Sequence, residues 1–485
     1  MSLNCLSPDE PAAWSIAQAS SLLSSGQLRA TDLLQSVLAR IDEVDGVIYS
    51  YLRHDREAAL AAAEAAAVRA SQGRRIGPLD GIPFAVKDNI YTNGLATTGG
   101  SRVPQRHDPA LHATLVARLQ SAGAVLVGKL NTWEYGTGTG AVHFDLETPP
   151  ARNPWDPRHF TGGSSSGSGA AVAAGTACFA IGTDTGGSVR LPAAACGVVG
   201  LKPTFGRISR HGVMPNCWSF DGPGPLTLTV EDACLVYETI AGHDAADPSS
   251  LACGVQPLLP ALNDGVAGLR VGVVRRLDPA DSVEPAIDEA LNQACSVLRD
   301  EGAQVRDIQL PLAPADFRAI ALPINRSESF SIHEQDYLEH RSLMGRALRE
   351  KLEIGMYIRA ADYLAALRQR RELVARMDAL FSDVDVLLLP MTDRAAPALT
   401  DEQAVIDFTA RSAGSPFSLT GHPAVSVPAG FNPGGLPLAV QLAAGFLQEA
   451  RLMRTARVLE RHFTPQPRRA QVGSRSTSLA PNLAA

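Results

Sequence analysis

The stretch TGGSSSGSGAAVAAGTACFAIGTDTGGS, residues 161–188, carries the same four residues, TGGS, at both of its ends. Between the copies a run of small residues, GAAVAAGTA, has helical character and leads into an apolar strand, CFAIGTD, that closes on Asp184. A flexible linker would have the serines and glycines but not the alanine tail. The second copy therefore follows a strand end, and Ser188 stands in the loop beyond it. Successive glycine amides in such a loop can turn toward one point and hold an anion or an oxyanion.

The same alternation runs outward in both directions. IPFAVKD (82–88), AVLVG (124–128), LRVGVV (269–274), VDVLLLP (384–390), PAVSVPAG (423–430) and LPLAVQLAAG (436–445) read as strands. HATLVARLQSAG (112–123) and DREAALAAAEAAAVRA (55–70) read as helices, and residues 14–46 as two amphipathic helices, the second opening at Thr31 as N-cap. This alternation indicates an α/β sheet covered on both faces. No linker cuts it, and DGPGPLT (221–227) reads as a structured turn. Residues 465–485, polar and rich in Pro and Ser, are expected to be a disordered tail.

Composition narrows the class. The 485 residues are 45% hydrophobic and 19% charged, as in an ordinary globular chain. A net charge of −7 argues against a broad nucleic-acid or anionic-membrane surface. Seven cysteines without a CxxC pair, and no leader-like start, predict a cytoplasmic protein with no disulfide framework and no metal site. Two motif matches mislead. GAVLVGKL (123–130) nearly fits a phosphate loop, but Leu130 offers no hydroxyl to a metal ion and AVLV is strand-like. GSSSG (163–167) fits a nucleophile elbow at Ser165, but the preceding NPWDPRHFT is polar and broken by proline.

The TGGS copy at 185–188 fits better. Ser188 can attack a carbonyl while the amides of Thr185, Gly186, Gly187 and Ser188 receive the negative oxygen. Serine needs a base. Lys87, on a strand and flanked by apolar residues, is either that base or the structural ion-pair partner of Asp88 or Asp184.

At this point GGSSSGSGAAVAAG, IGTDTGGSVRLPAAACGVVGLKPTFGRIS, GPLDGIPFAVKDNI and SPFSLTGHPAVSVPAGF resemble the amidase signature family, over residues 14–462. The resemblance implies a single large α/β/α domain, residues 1–464, with a central mixed, mostly parallel sheet of about a dozen strands and helices of about 12–70 as an outer layer. It implies a Ser–cis-Ser–Lys triad of Ser188 (nucleophile), Ser164 (bridge, in a cis peptide with Gly163) and Lys87 (base), with no cofactor or metal. Asp184 and Arg190 are expected to be scaffold, Ser165, Ser166 and Ser168 to hold the turn and cap the next helix, and Cys178 and Cys196 to be inert core. The family form GGSSGGSA differs here at Ser166 and Gly169, both small.

The function so implied is hydrolysis of a small carboxamide; the alternative is the glutaminase subunit of a tRNA-dependent amidotransferase. Those subunits carry an acidic residue seven positions before a motif Asn, and the matching count from Ser418 lands on Arg411, a cation that would repel an ammonium. Substrate contacts are expected from Thr137 and Gly138 in the 135–150 loop, from Arg411 and from the 315–380 helices. The expected partner is a small-molecule amide, with a homodimer open and neither nucleic acid nor membrane.

Overall fold

Short apolar strands, most of them buried on both faces, assemble into one sheet of eleven. The computed structural model describes residues 6, 7, 9–105, 108, 110–137, 142–278 and 283–472. The strands are β1 (Tyr51–His54), β2 (Pro83–Lys87), β3 (Val125–Leu130), β4 (Phe179–Asp184), β5 (Val199–Lys202), β6 (Gly222–Thr227), β7 (Arg270–Val273), β8 (Gln304–Asp307), β9 (Val386–Pro390), β10 (Ala424–Phe431) and β11 (Pro437–Ala444). Their order across the sheet is β1-β3-β2-β4-β6-β5-β10-β11-β9-β7-β8.

The helices are α1 (Ile16–Ser25), α2 (Ala30–Ile48), α3 (Arg56–Ser71), α4 (Thr114–Ser121), α5 (Ser166–Ala174), α6 (Arg190–Cys196) and α7 (Val230–Ile240). They continue with α8 (Pro285–Asp300), α9 (Pro314–His340), α10 (Arg346–Met356), α11 (Ala360–Asp383), α12 (Glu402–Ala410), α13 (Ser415–Thr420) and α14 (Glu449–Phe463). Among the described residues, no helix is long and apolar enough to cross a membrane. In α2 the residues Ala30, Leu33, Leu34, Val37, Leu38 and Ile41 form the buried stripe of a 3.6-residue period. The helix opens earlier than expected, with Arg29 at the cap instead of Thr31, because burial of Ala30 and Leu33 draws in the first turn.

Strand β9 shows how the two faces are filled. Val386 and Leu388 join one apolar cluster with α2, α7 and α14, while Leu387 and Leu389 join another with α9, α11 and α13. Alternation with a hydrophobe at every position marks a strand covered on both sides.

The sheet is mixed, but it is not mostly parallel. Only β3-β2, β2-β4, β9-β7 and β7-β8 run parallel. The other six neighbour pairs are antiparallel. β10 and β11 are joined by residues 432–436 alone, too short a connection for anything but a hairpin. The expected turn at 221–227 is also a strand, β6, inserted between β4 and β5. Its prolines hid it, yet β5 pairs only with Leu226 and Thr227, so Pro223 and Pro225 lie where β4 is the sole paired neighbour.

The C-terminal segment is partly docked, against expectation. Arg469 is buried and donates to the carbonyls of Ala177 (2.8 Å), Trp14 (3.1 Å) and Val172, while Ala470 N donates to Ala173 O. Residues 473–485 lie outside the described residues.

Candidate active site

Parallel neighbours β3, β2 and β4 end on the same edge, and the residues of interest stand at those ends. Such carboxyl ends are where open sheets gather their chemistry. Lys87, the last residue of β2, is fully buried, with Nζ hydrogen-bonded to Ser164 Oγ at 2.7 Å and to Thr183 Oγ1 at 2.9 Å. Asn89 Nδ2 donates to the same Thr183 hydroxyl. The Gly163–Ser164 peptide is cis, and the Ser164 carbonyl accepts from Trp133 N and the Thr132 hydroxyl just beyond β3. Ser165 N donates to Ser188 O at 3.3 Å, which lays the two TGGS copies side by side.

The ion-pair reading of Lys87 does not hold. Asp88 is engaged by Arg53 at 2.9 Å and Lys129 at 3.7 Å, and Asp184 by Arg190 at 2.9 Å. Burial pushes the Lys87 ammonium down to about 7, against the pull of Asp221 and Asp184. Lys202 is equally buried, but it donates to the carbonyls of Pro203 and His422, which can only accept. Lys87 instead meets two hydroxyls, which can donate as well as accept. Only the second arrangement would let a lysine exchange a proton with its partner.

The loop that carries Ser188 is held from beneath. Asp184 accepts from Gly187 N (2.8 Å), Val189 N (3.2 Å), Arg190 Nε (3.0 Å) and Ser418 Oγ (2.9 Å). Burial opposes its charge, but Arg190 beside it outweighs this and holds the carboxyl well below the usual carboxylate range. Arg190 reaches on to Gln441 Oε1, Gly414 O and Ser418 Oγ. Gly187 sits at φ 115°, and a methyl group on it would come within 3.0 Å of Gly414 Cα. Because Gly187 N–H is committed to Asp184, it is not free to receive an oxyanion; the amides of Thr185, Gly186 and Ser188 have no protein acceptor among the described residues. Ser188 itself is half-buried.

The other serines have different roles from those expected. Ser165 Oγ donates to Thr183 O and accepts from Thr183 N, both at 3.2 Å, so it is committed to the β4 main chain. No serine side chain caps α5; Ser166 reaches Asn131 O at 3.5 Å and buried Ser168 Oγ has no partner among the described residues. Cys178 and Cys196 are buried free thiols whose pKa burial raises, that of Cys178 to about 11.

Thr137 is buried and accepts from Lys351 Nζ, which also donates to Asn216 Oδ1 at 2.9 Å. Gly138 lies outside the described residues. Arg411 stands 4.0 Å from Asp393, a buried carboxylate that Arg394 also holds at 2.9 Å. Sequence reasoning missed Thr183, Asn89, Asn216, Asp221 and Lys351. Asp221, hidden in the supposed turn, accepts from the Thr185 hydroxyl (2.6 Å) and the amides of Asn216 and Cys217. Thr183 stands within GTDTGGS but has no reactive look of its own. A cavity of about 590 Å³, lined by Asn89, Thr183, Met214, Asn216 and Asp221, opens beside them.

A family model described as Amidase matches residues 32–453. One relative, a component of the glutamyl-tRNA(Gln) amidotransferase of Chloroflexus aurantiacus, is 38% identical over 472 residues, which cover 92% of this chain and 96% of that protein. A solved structure from work on a vestigial protein complex and the origins of an s-triazine catabolic enzyme is 35% identical, with TM-score 0.85 over 94% of this chain and 100% of that one. The native peptide amidase of Stenotrophomonas maltophilia is 29% identical, with TM-score 0.81 over 95% and 99%.

Proposed function

The chain belongs to the amidase family, and on that premise we propose that it hydrolyses a carboxamide through an acyl-enzyme on Ser188. The observation that carries this reading is the 2.7 Å contact between Ser164 and a buried Lys87 that has no carboxylate partner among the described residues. Neutral Lys87 draws the proton of Ser164, which draws that of Ser188 as its oxygen attacks the amide carbon. The tetrahedral oxyanion is received by the amides of Thr185, Gly186 and Ser188. The relay then hands its proton to the departing nitrogen, and water activated along the same path releases the acid.

Two substrates fit that chemistry. The names of the relatives favour glutamine, with the chain as the ammonia-releasing component of an amidotransferase. Arg411 favours a small amide without an ammonium group. It stands where those components carry an acid, and the nearby Asp393 carboxylate is already held by Arg394. On this ground we assign a small carboxamide.

The test is ammonia release over an amide panel that includes glutamine, with wild type, Ser188→Ala and Ser165→Ala. Labelling by a sulfonyl fluoride is mapped alongside. Loss of both signals in Ser188→Ala alone is the expected result. Label on Ser165 would overturn the triad, and robust glutaminase activity with added partner proteins would overturn the substrate assignment.

A further inference from the structure

The cavity of about 590 Å³ has walls suited to an uncharged guest. Val213, Met214, Pro215, Pro223 and Pro248 supply apolar surface, and Trp218 joins them. The charged side chains that line it are already engaged. Arg210 Nε stands 3.7 Å from Asp247, which also accepts from Arg210 N at 2.8 Å. Asp221 accepts from the Thr185 hydroxyl and from the amides of Asn216 and Cys217. Apolar walls with a few placed polar groups are the usual make-up of a small-molecule site.

Trp218 stands out among these walls. The main chain around it is pinned at each residue. Cys217 N donates to Asp221 at 2.8 Å and Ser219 N to Glu328 at 3.0 Å, while Arg210 and Arg370 donate to the carbonyls of Trp218 and Ser219. Phe220, the next residue, is buried beneath the Arg370 guanidinium. Trp218 is nevertheless 49% exposed. A large ring on a fixed main chain, left half in water, gains by being covered, and aromatic faces favour an offset or edge-on planar partner.

The buried end of the cavity meets the relay. Thr183, one of its lining residues, accepts from Lys87 Nζ at 2.9 Å and from Asn89 Nδ2 at 3.1 Å. Asn89 lines the cavity too, is buried, and has an Oδ1 with no hydrogen-bond partner among the described residues. A buried carbonyl oxygen without a donor is unfavourable, and the N–H of a secondary amide is such a donor. In the hydrolytic reading the relay hands its proton to the departing nitrogen, so the group which that nitrogen carries lies against the relay.

We infer that the cavity receives the amine half of the substrate, with the amide N–H at Asn89 and a planar, uncharged group against Trp218. The favoured substrate is then a secondary carboxamide whose nitrogen carries an aromatic group. This rests on the hydrolytic reading above and narrows its substrate class.

The test compares N-benzylacetamide with N-(cyclohexylmethyl)acetamide by amine release from wild type, Trp218→Ala and Trp218→Phe. The cyclohexyl ring is the more apolar of the two, so a preference for benzyl reports the planar contact and not apolarity alone. Wild type is expected to favour the benzyl amide by about fivefold or more in kcat/KM. Trp218→Ala should bring that ratio to about one, mainly through KM, and Trp218→Phe should retain most of it. A wild-type ratio at or below one, or a ratio unchanged in Trp218→Ala, overturns the subsite and leaves the amidase reading standing.

Binding is read separately by calorimetry in Ser188→Ala, which holds the amide uncleaved. Adding Trp218→Ala should weaken N-benzylacetamide about fivefold. N-benzyl-N-methylacetamide, which has no N–H, should bind about tenfold more weakly than the secondary amide, and equal affinity overturns the placement at Asn89. No hydrolysis of any amide, together with no sulfonyl fluoride label on Ser188, overturns the amidase reading. Calorimetry then decides the subsite by itself: weakening by Trp218→Ala supports it, and no binding, or binding indifferent to Trp218, overturns it.

Discussion

At the scale of the residue, the chemistry turns on one proton. In the proposed mechanism Lys87 acts as a neutral base, so kcat/KM is expected to rise with pH through about 7 and level off above it. Asp221 raises the Lys87 pKa, so Asp221→Asn should move that rising limb toward lower pH. A pH–rate profile of the two proteins checks both statements; a limb displaced upward would contradict them. Replacing Lys87 by Met should reduce kcat about 10³-fold or more with the fold intact, as read by ammonia release and circular dichroism. The positions of the proposed triad were legible because the glycines and serines around them are themselves the motif. Thr183 and Asn89 were not, since a lone hydroxyl or amide carries no signature until the sheet places it against the lysine.

Elements carry a different kind of information. Helix α5 was legible as a tightly packed helix, and Gly167 shows why its residues are small. A methyl group there would stand 2.3 Å from Ser50 O and 2.5 Å from Asn131 N, both main-chain atoms. Gly167→Ala should therefore destabilise the protein by about 2–3 kcal/mol, seen as a lower urea midpoint. Strand β6 was illegible for the opposite reason. Local propensity rejects GPGPLT as a strand, and only a neighbour on one side, β4, lets Pro223 and Pro225 stay in the sheet. Sheet direction was misjudged on the same footing. Alternation of strand and helix says nothing of which strands are adjacent, and here β4 and β10 are separated by β6 and β5.

At the scale of the whole molecule, long-range ties decide what composition hides. The segment after 465 reads as tail because Pro, Gln and Arg suggest solvent, yet Arg469 plugs the gap between α5 and β4 with its donors on several carbonyls. Arg469→Met should lower the stability by about 2–4 kcal/mol, because those carbonyls lose a charged, buried donor. Urea unfolding checks this, and a change within about 0.5 kcal/mol would show the contact to be dispensable. A second long-range tie is the Arg190 fork, which fixes the Ser188 loop through Gly414, Ser418 and Gln441. During synthesis a ribosome has made Ser188 and Lys87 long before it reaches those partners. A nascent chain that has not yet released Gln441 from the exit tunnel carries all three residues of the proposed triad and still lacks the ties that hold the Ser188 loop in shape.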